Sequence, residues 1–150
     1  MPETITETMT DPAAATTQAT TIHKSVYLKA SRQTVWKHLT DKDLLGKWFH
    51  PAKADLTPGA DYTLVSQKDG DRMCWGRVEE MRPTTYMRWA FTVGPLNGAM
   101  TTVEWQLDDA PGGTRLTLTH SGLPASAEGY GLVLALDKGW HGFLMNLHDL

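Results

Sequence analysis

Six histidines are the side chains of this chain best suited to proton transfer near neutral pH: His23, His38, His50, His120, His141 and His148. Their spacing limits what they can do. No HExxH motif occurs, and no Cys and His residues stand at zinc-ligand spacing, so neither a metal centre nor a cofactor is expected. Asp137 and His141, four apart, share a helix face and are expected to be solvated neighbours. His120 differs because it ends a strand whose dry face also carries Leu116 and Leu118. A polar ring there could bond a ligand head group or exchange a proton, or it could be satisfied by backbone or water.

Nucleophile patterns are thin. The single cysteine, Cys74, sits between Met73 and Trp75 in an apolar run and is expected to be a buried, inert thiol. With one cysteine no internal disulfide forms, which suits a reducing compartment. Ser121 follows Thr119 rather than a glycine at that spacing, so the GxSxG elbow of hydrolases is absent. "GYGLVL" at 129–134 starts like a dinucleotide fingerprint, but Leu134 replaces the third glycine and no parallel βαβ unit surrounds it. "PGGT" at 111–114 reads as a hairpin turn. Glu79 and Glu80 are adjacent on a predicted strand, so they should point to opposite faces and form no acid–base pair.

The aromatic residues are more informative. Trp89 and Trp105 fall on the predicted dry face of a sheet, and Trp140 lies on the facing stripe of a helix. With Trp48, Trp75, Phe91 and His120 they make a candidate ligand-binding set, an aromatic-lined pocket with one polar contact. The competing reading is a core that the indoles fill completely. Gly139 and Gly142 flank Trp140 in "DKGWHGFLMNL". A helix-interior glycine costs about 1 kcal/mol relative to alanine. The pair is expected to let the helix lie close to the sheet or make room for Trp140; the alternative is a helix loosened to act as a lid.

The elements that must position these residues follow from periodicity. Residues 1–21, "MPETITETMTDPAAATTQATT", hold no Lys, Arg or aromatic residue and are expected to be a disordered tail, with one domain over 22–150. "IHKSVYLKA" alternates like a strand. Ser31 should cap a helix over "RQTVWKHL", and Thr40 a second short one over "DKDLLGKWF". Then "DYTLVSQ", "RMCWGRVEEM", "YMRWAFTV", "AMTTVEWQL" and "TRLTLTHSG" follow with turns between, the pattern of an antiparallel meander. A long helix from about Ser126 to the end carries Val133, Leu136, Trp140, Phe143, Leu144 and Leu147 as an apolar stripe. The fold class is α+β: a curved antiparallel sheet wrapped around a long C-terminal helix, with two short helices after the first strand.

Charge excludes some partners. Of 17 acidic residues, Glu3, Glu7 and Asp11 precede the first basic residue, Lys24, leaving 14 acidic against 14 basic residues. A neutral domain offers nothing to steer nucleic acid or an anionic membrane. No stretch reaches the ~18 apolar residues of a membrane helix, and the N-terminus lacks an apolar signal core. A cytoplasmic protein is expected.

The order of elements, with "SVYLKASRQTVWKHLTDKDLLGKWF", "GRVEEMRPTTYMRW", "GGTRLTLTHSG" and "KGWHGFLMNL", resembles the helix-grip fold of the START/Bet v 1-like (SRPBCC) superfamily. In detail it is similar to a bacterial branch related to the C-terminal domain of the Hsp90 ATPase activator. The resemblance implies a cavity or groove between sheet and helix. Members of the superfamily bind lipids, sterols, plant hormones or polyketides, and some are cyclases or hydrolases. Against that background the leading expectation is binding of a small hydrophobic or aromatic ligand. One alternative is a polyketide cyclase or hydrolase-like enzyme using His120; another is a chaperone-associated interaction domain, which the absence of the eukaryotic activator's second domain makes less favoured. A homodimer is compatible with the chain but no pattern supports it. Ending at Leu150, the chain is expected to have a short final helix.

Overall fold

The computed structural model describes residues 20–150. The tail expected over 1–21 therefore lies outside the described residues, except Thr20 and Thr21, which already belong to the first strand. The elements run β1 (Thr20–Leu28), α1 (Arg32–Thr40), α2 (Lys42–Trp48), β2 (Asp61–Val65), β3 (Arg72–Arg82), β4 (Tyr86–Val93), β5 (Thr101–Ala110), β6 (Gly113–Leu123) and α3 (Tyr130–His148). The six strands form one antiparallel sheet in the order β1-β6-β5-β4-β3-β2. It curves around α3, so the helix-grip α+β architecture expected from the sequence is the one observed.

Alternation sorts the sheet into a dry and a wet face. Met87, Trp89 and Phe91 on β4, Val103, Trp105 and Leu107 on β5, and Leu116, Leu118 and His120 on β6 are all buried. Cross-strand pairing stacks them in rows, such as Met87 opposite Trp105 and Trp105 opposite Leu118. The apolar stripe of α3 meets this face through Val133, Trp140, Leu144 and Leu147. Lys24 on β1 reaches Asp137 of α3 at 3.0 Å, so Asp137 is tied to the sheet and not paired with His141.

Three local readings are corrected. Asp41, not Thr40, caps α2: its carboxylate accepts from the backbone N–H groups of Asp43 and Leu44, and those bonds hold its pKa below the usual value. Thr40 instead donates its hydroxyl to the carbonyl of Trp36. α3 begins at Tyr130 rather than near Ser126, whose hydroxyl accepts from Gly129 N–H in the turn before it. A bulge between Val78 and Glu80 breaks alternation, so Glu79 and Glu80 both approach Arg88, at 3.5 and 3.0 Å, instead of parting to opposite faces.

Candidate functional site

Trp140 is the centre of the site because two environments meet at its ring. On one side lies a block of packed indoles. Trp105 stands edge-on to Trp140 with centroids 5.6 Å apart, edge-on to Trp48 at 5.8 Å, and at 5.4 Å from Trp89. All four indoles are buried, and the Trp48 N–H donates to the carbonyl of His38. The four rings fill the space between one another.

His120 belongs to that filled region. The indole N–H of Trp140 donates to His120 Nδ1 at 3.0 Å, and since an indole only donates, Nδ1 must be unprotonated. The neutral ring therefore carries its proton on Nε2 and donates it to the Thr101 hydroxyl at 2.8 Å, which donates onward to the carbonyl of Phe91 at 2.7 Å. Burial pushes the pKa of His120 down to about 4, and its side chain is 0% exposed. Both nitrogens are engaged with the fold itself, and His120 does not reach the cavity described next. In this arrangement His120 is a core histidine satisfied by the fold, the alternative the sequence also allowed, and it positions Trp140.

On the other side of Trp140 the sheet and helix separate. A cavity of about 330 Å³ opens there between β3, β4, the turn at Gly94–Pro95 and α3 from Leu132 to Phe143. Phe91 and Trp140 line it, as the sequence suggests, together with Phe49, His50, Cys74 and Phe143. Trp48, Trp89 and Trp105 are not among its walls, because they are spent in the indole block. Trp75 is not among them either. It alternates with buried Cys74 and so points to the other face, between Thr63 and Thr92, where the Arg72 guanidinium lies 3.5 Å over its ring.

Phe49 and His50 were missed because they follow a helix rather than sit on a periodic element. Their placement is local and rigid. Phe49 closes α2 with its N–H on the carbonyl of Leu45. Pro51 then packs on Gly46, its carbonyl accepts from Val65 N–H, and Ala52 bridges to Leu64 of β2. Between these anchors the His50 ring lies 4.7 Å from Phe49 and 5.2 Å from Phe143. The Pro at 51, which restricts the residue before it to extended backbone, was the available signal.

Gly139 lines the cavity, and a Cβ built on it would meet only Phe143, at 3.9 Å; one on Gly142 would meet nothing within 4 Å. Close approach of helix to sheet is thus not what these glycines provide. Gly139 leaves the wall open beside Trp140. Cys74 is buried as expected, and burial raises its pKa, which keeps the thiol protonated and a poor nucleophile. Among the described residues no cluster of three or more His, Cys, Asp or Glu could hold a metal, and no helix is long and apolar enough to cross a membrane.

Comparison with known proteins agrees with this architecture. A family model described as "Activator of Hsp90 ATPase homolog 1-like protein" matches residues 29–150. Among solved structures, protein MLL2253 from Mesorhizobium loti is 19% identical with a TM-score of 0.74, covering 87% of this chain and 95% of that one. The Aha1 dimer from Colwellia psychrerythraea is 21% identical with a TM-score of 0.73, covering 87% and 94%. DynU16, from the dynemicin biosynthetic locus, is 26% identical with a TM-score of 0.70; the match covers 86% of this chain but 46% of that one. No curated protein matches the chain.

Proposed function

We propose, from the premise that the chain belongs to the activator of Hsp90 ATPase homolog 1-like family, that this domain binds a small apolar ligand between β3, β4 and α3. One observation carries the reading: the cavity of about 330 Å³ beside Trp140 is open and walled by Phe49, Phe91, Trp140 and Phe143, whereas the larger hollow of about 490 Å³ between β1, α1 and the end of α3 has no Phe, Tyr or Trp in its walls. That volume is at the small end of ligand pockets, which run from roughly 300 to 1,000 Å³. A structural relative from the dynemicin biosynthetic locus is in keeping with such a cargo. An enzyme using His120 is disfavoured, since that ring is engaged on both nitrogens and walled off from the cavity.

The test is native mass spectrometry of protein purified gently from its own host, for the wild type and for Gly139→Leu, which projects a side chain into the cavity. The expected result is an adduct of a few hundred daltons on the wild type that is lost on denaturation and absent from the variant. A bare wild-type mass, with no binding of apolar aromatic probes added afterwards, would overturn the reading and favour a dry interaction domain. Self-association is a separate proposal, supported by the dimer of the Colwellia relative and checked by light scattering.

A further inference from the structure

The walls of the cavity divide sharply by chemistry. None of its lining side chains is Lys, Arg, Asp or Glu, and none is Ser, Thr, Asn, Gln or Tyr. Two of the polar groups that do reach it are unavailable or weak. The Trp140 N–H is committed to His120, and the Cys74 thiol is a feeble donor. The remaining polar side chain is His50, half-buried, whose ring makes no hydrogen bond with the described residues.

We infer that the cavity selects an uncharged, flat aromatic ligand bearing one hydrogen-bonding oxygen, and that the oxygen pairs with His50. This rests on the binding function proposed above and names the class of its ligand. The rings of Phe49, Phe91, Trp140 and Phe143 offer faces and edges to a planar guest of one or two fused rings. A carboxylate would enter a site that has no cation to offset its desolvation. A neutral imidazole presents one donor and one acceptor, so it can take a phenol O–H or give to a carbonyl. Burial lowers the pKa of His50, which keeps it in that neutral form. Phe49 and Phe143 pack on the ring, so little freedom remains for binding to remove.

The experiment is calorimetric titration of the whole chain with three probes of one shape: 2-naphthol, 2-methylnaphthalene and 2-naphthoate. The expected order is 2-naphthol tightest, 2-methylnaphthalene about fivefold weaker for the loss of one neutral hydrogen bond, and 2-naphthoate weaker by about tenfold or more. His50→Leu should erase the preference for 2-naphthol while leaving 2-methylnaphthalene unchanged, and His50→Gln should restore part of it. Equal binding of the naphthol and methyl probes, or tight binding of the naphthoate, overturns the inference and leaves the cavity reading standing. Failure of all three probes to bind overturns both. If His50→Leu does not fold, the wild-type series still decides selectivity.

Discussion

The indole N–H of Trp140 donates to Nδ1 of His120 across 3.0 Å, joining the middle of α3 to β6 inside the core. It is the inner end of a relay that continues through Thr101 to the carbonyl of Phe91. Because Phe91 and Trp140 also form cavity walls, the relay sets the position of two of them.

Replacing His120 with Phe removes the acceptor for Trp140 and the donor for Thr101 at a fully buried site. Each buried polar group left unpaired costs about 1–3 kcal/mol, so a loss of about 2–4 kcal/mol is expected in urea unfolding. Probe affinity, measured where the variant is still folded, should fall less than it does for Gly139→Leu. An affinity loss as complete as that of Gly139→Leu would return His120 to the binding site.

His120 also predicts a pH dependence. Its pKa falls from 6.5 unfolded to about 4 folded, so between these values the unfolded chain binds the extra proton. Stability from this group is complete above pH 6.5, declines as pH falls toward 4, and is level below that. The loss corresponds to about 3 kcal/mol. His50 contributes in the same direction. Urea unfolding at a series of pH values should show the wild type and His120→Phe converging in stability as pH falls through this window. Parallel curves would contradict the assignment.

The two helix glycines make a prediction of opposite sign. With no neighbour within 4 Å of a Cβ on Gly142, Gly142→Ala should gain about 0.5–1 kcal/mol from helix propensity alone. Gly139→Ala, meeting only Phe143 at 3.9 Å, should do nearly as well while narrowing the cavity. Melting temperatures check both. A fall in either would mean that α3 lies closer to the sheet than it does here.

Gly76 is the contrasting case. A Cβ there would lie 1.8 Å from the Ala90 carbonyl oxygen, the same oxygen that accepts from the Tyr62 hydroxyl at 2.7 Å. The backbone of β3 or β4 would have to move, so Gly76→Ala should cost at least about 2 kcal/mol in denaturant unfolding. A neutral result would show that the β3–β4 pairing has more slack than this contact allows.

Much of the fold was legible because it is written in periodicity. Alternation of Met87-Trp89-Phe91, Val103-Trp105-Leu107 and Leu116-Leu118-His120 marks the dry face, and the spacing of Val133, Trp140, Leu144 and Leu147 marks the stripe that covers it. Two readings failed for different reasons. The bulge after Val78 breaks alternation and brings Glu79 and Glu80 to one arginine, whereas Trp75 keeps its period but was chosen for its ring, and alternation puts it on the face opposite Cys74.

By itself the sequence determined the order of strands and helices and which face of each is apolar, since these depend on neighbours a few residues apart. It also contained the rings from which either a packed core or a pocket could be made. Only the tertiary structure decided between them, and it did so unevenly. Trp48, Trp89 and Trp105 interlock into a filled block, His120 closes onto Trp140 and Thr101, and an aromatic-walled cavity remains beside Phe49, His50 and Phe143. Whether rings meet or leave a gap depends on the angle and distance at which α3 crosses the curved sheet. That is a long-range property set by the whole core at once, and no local spacing encodes it.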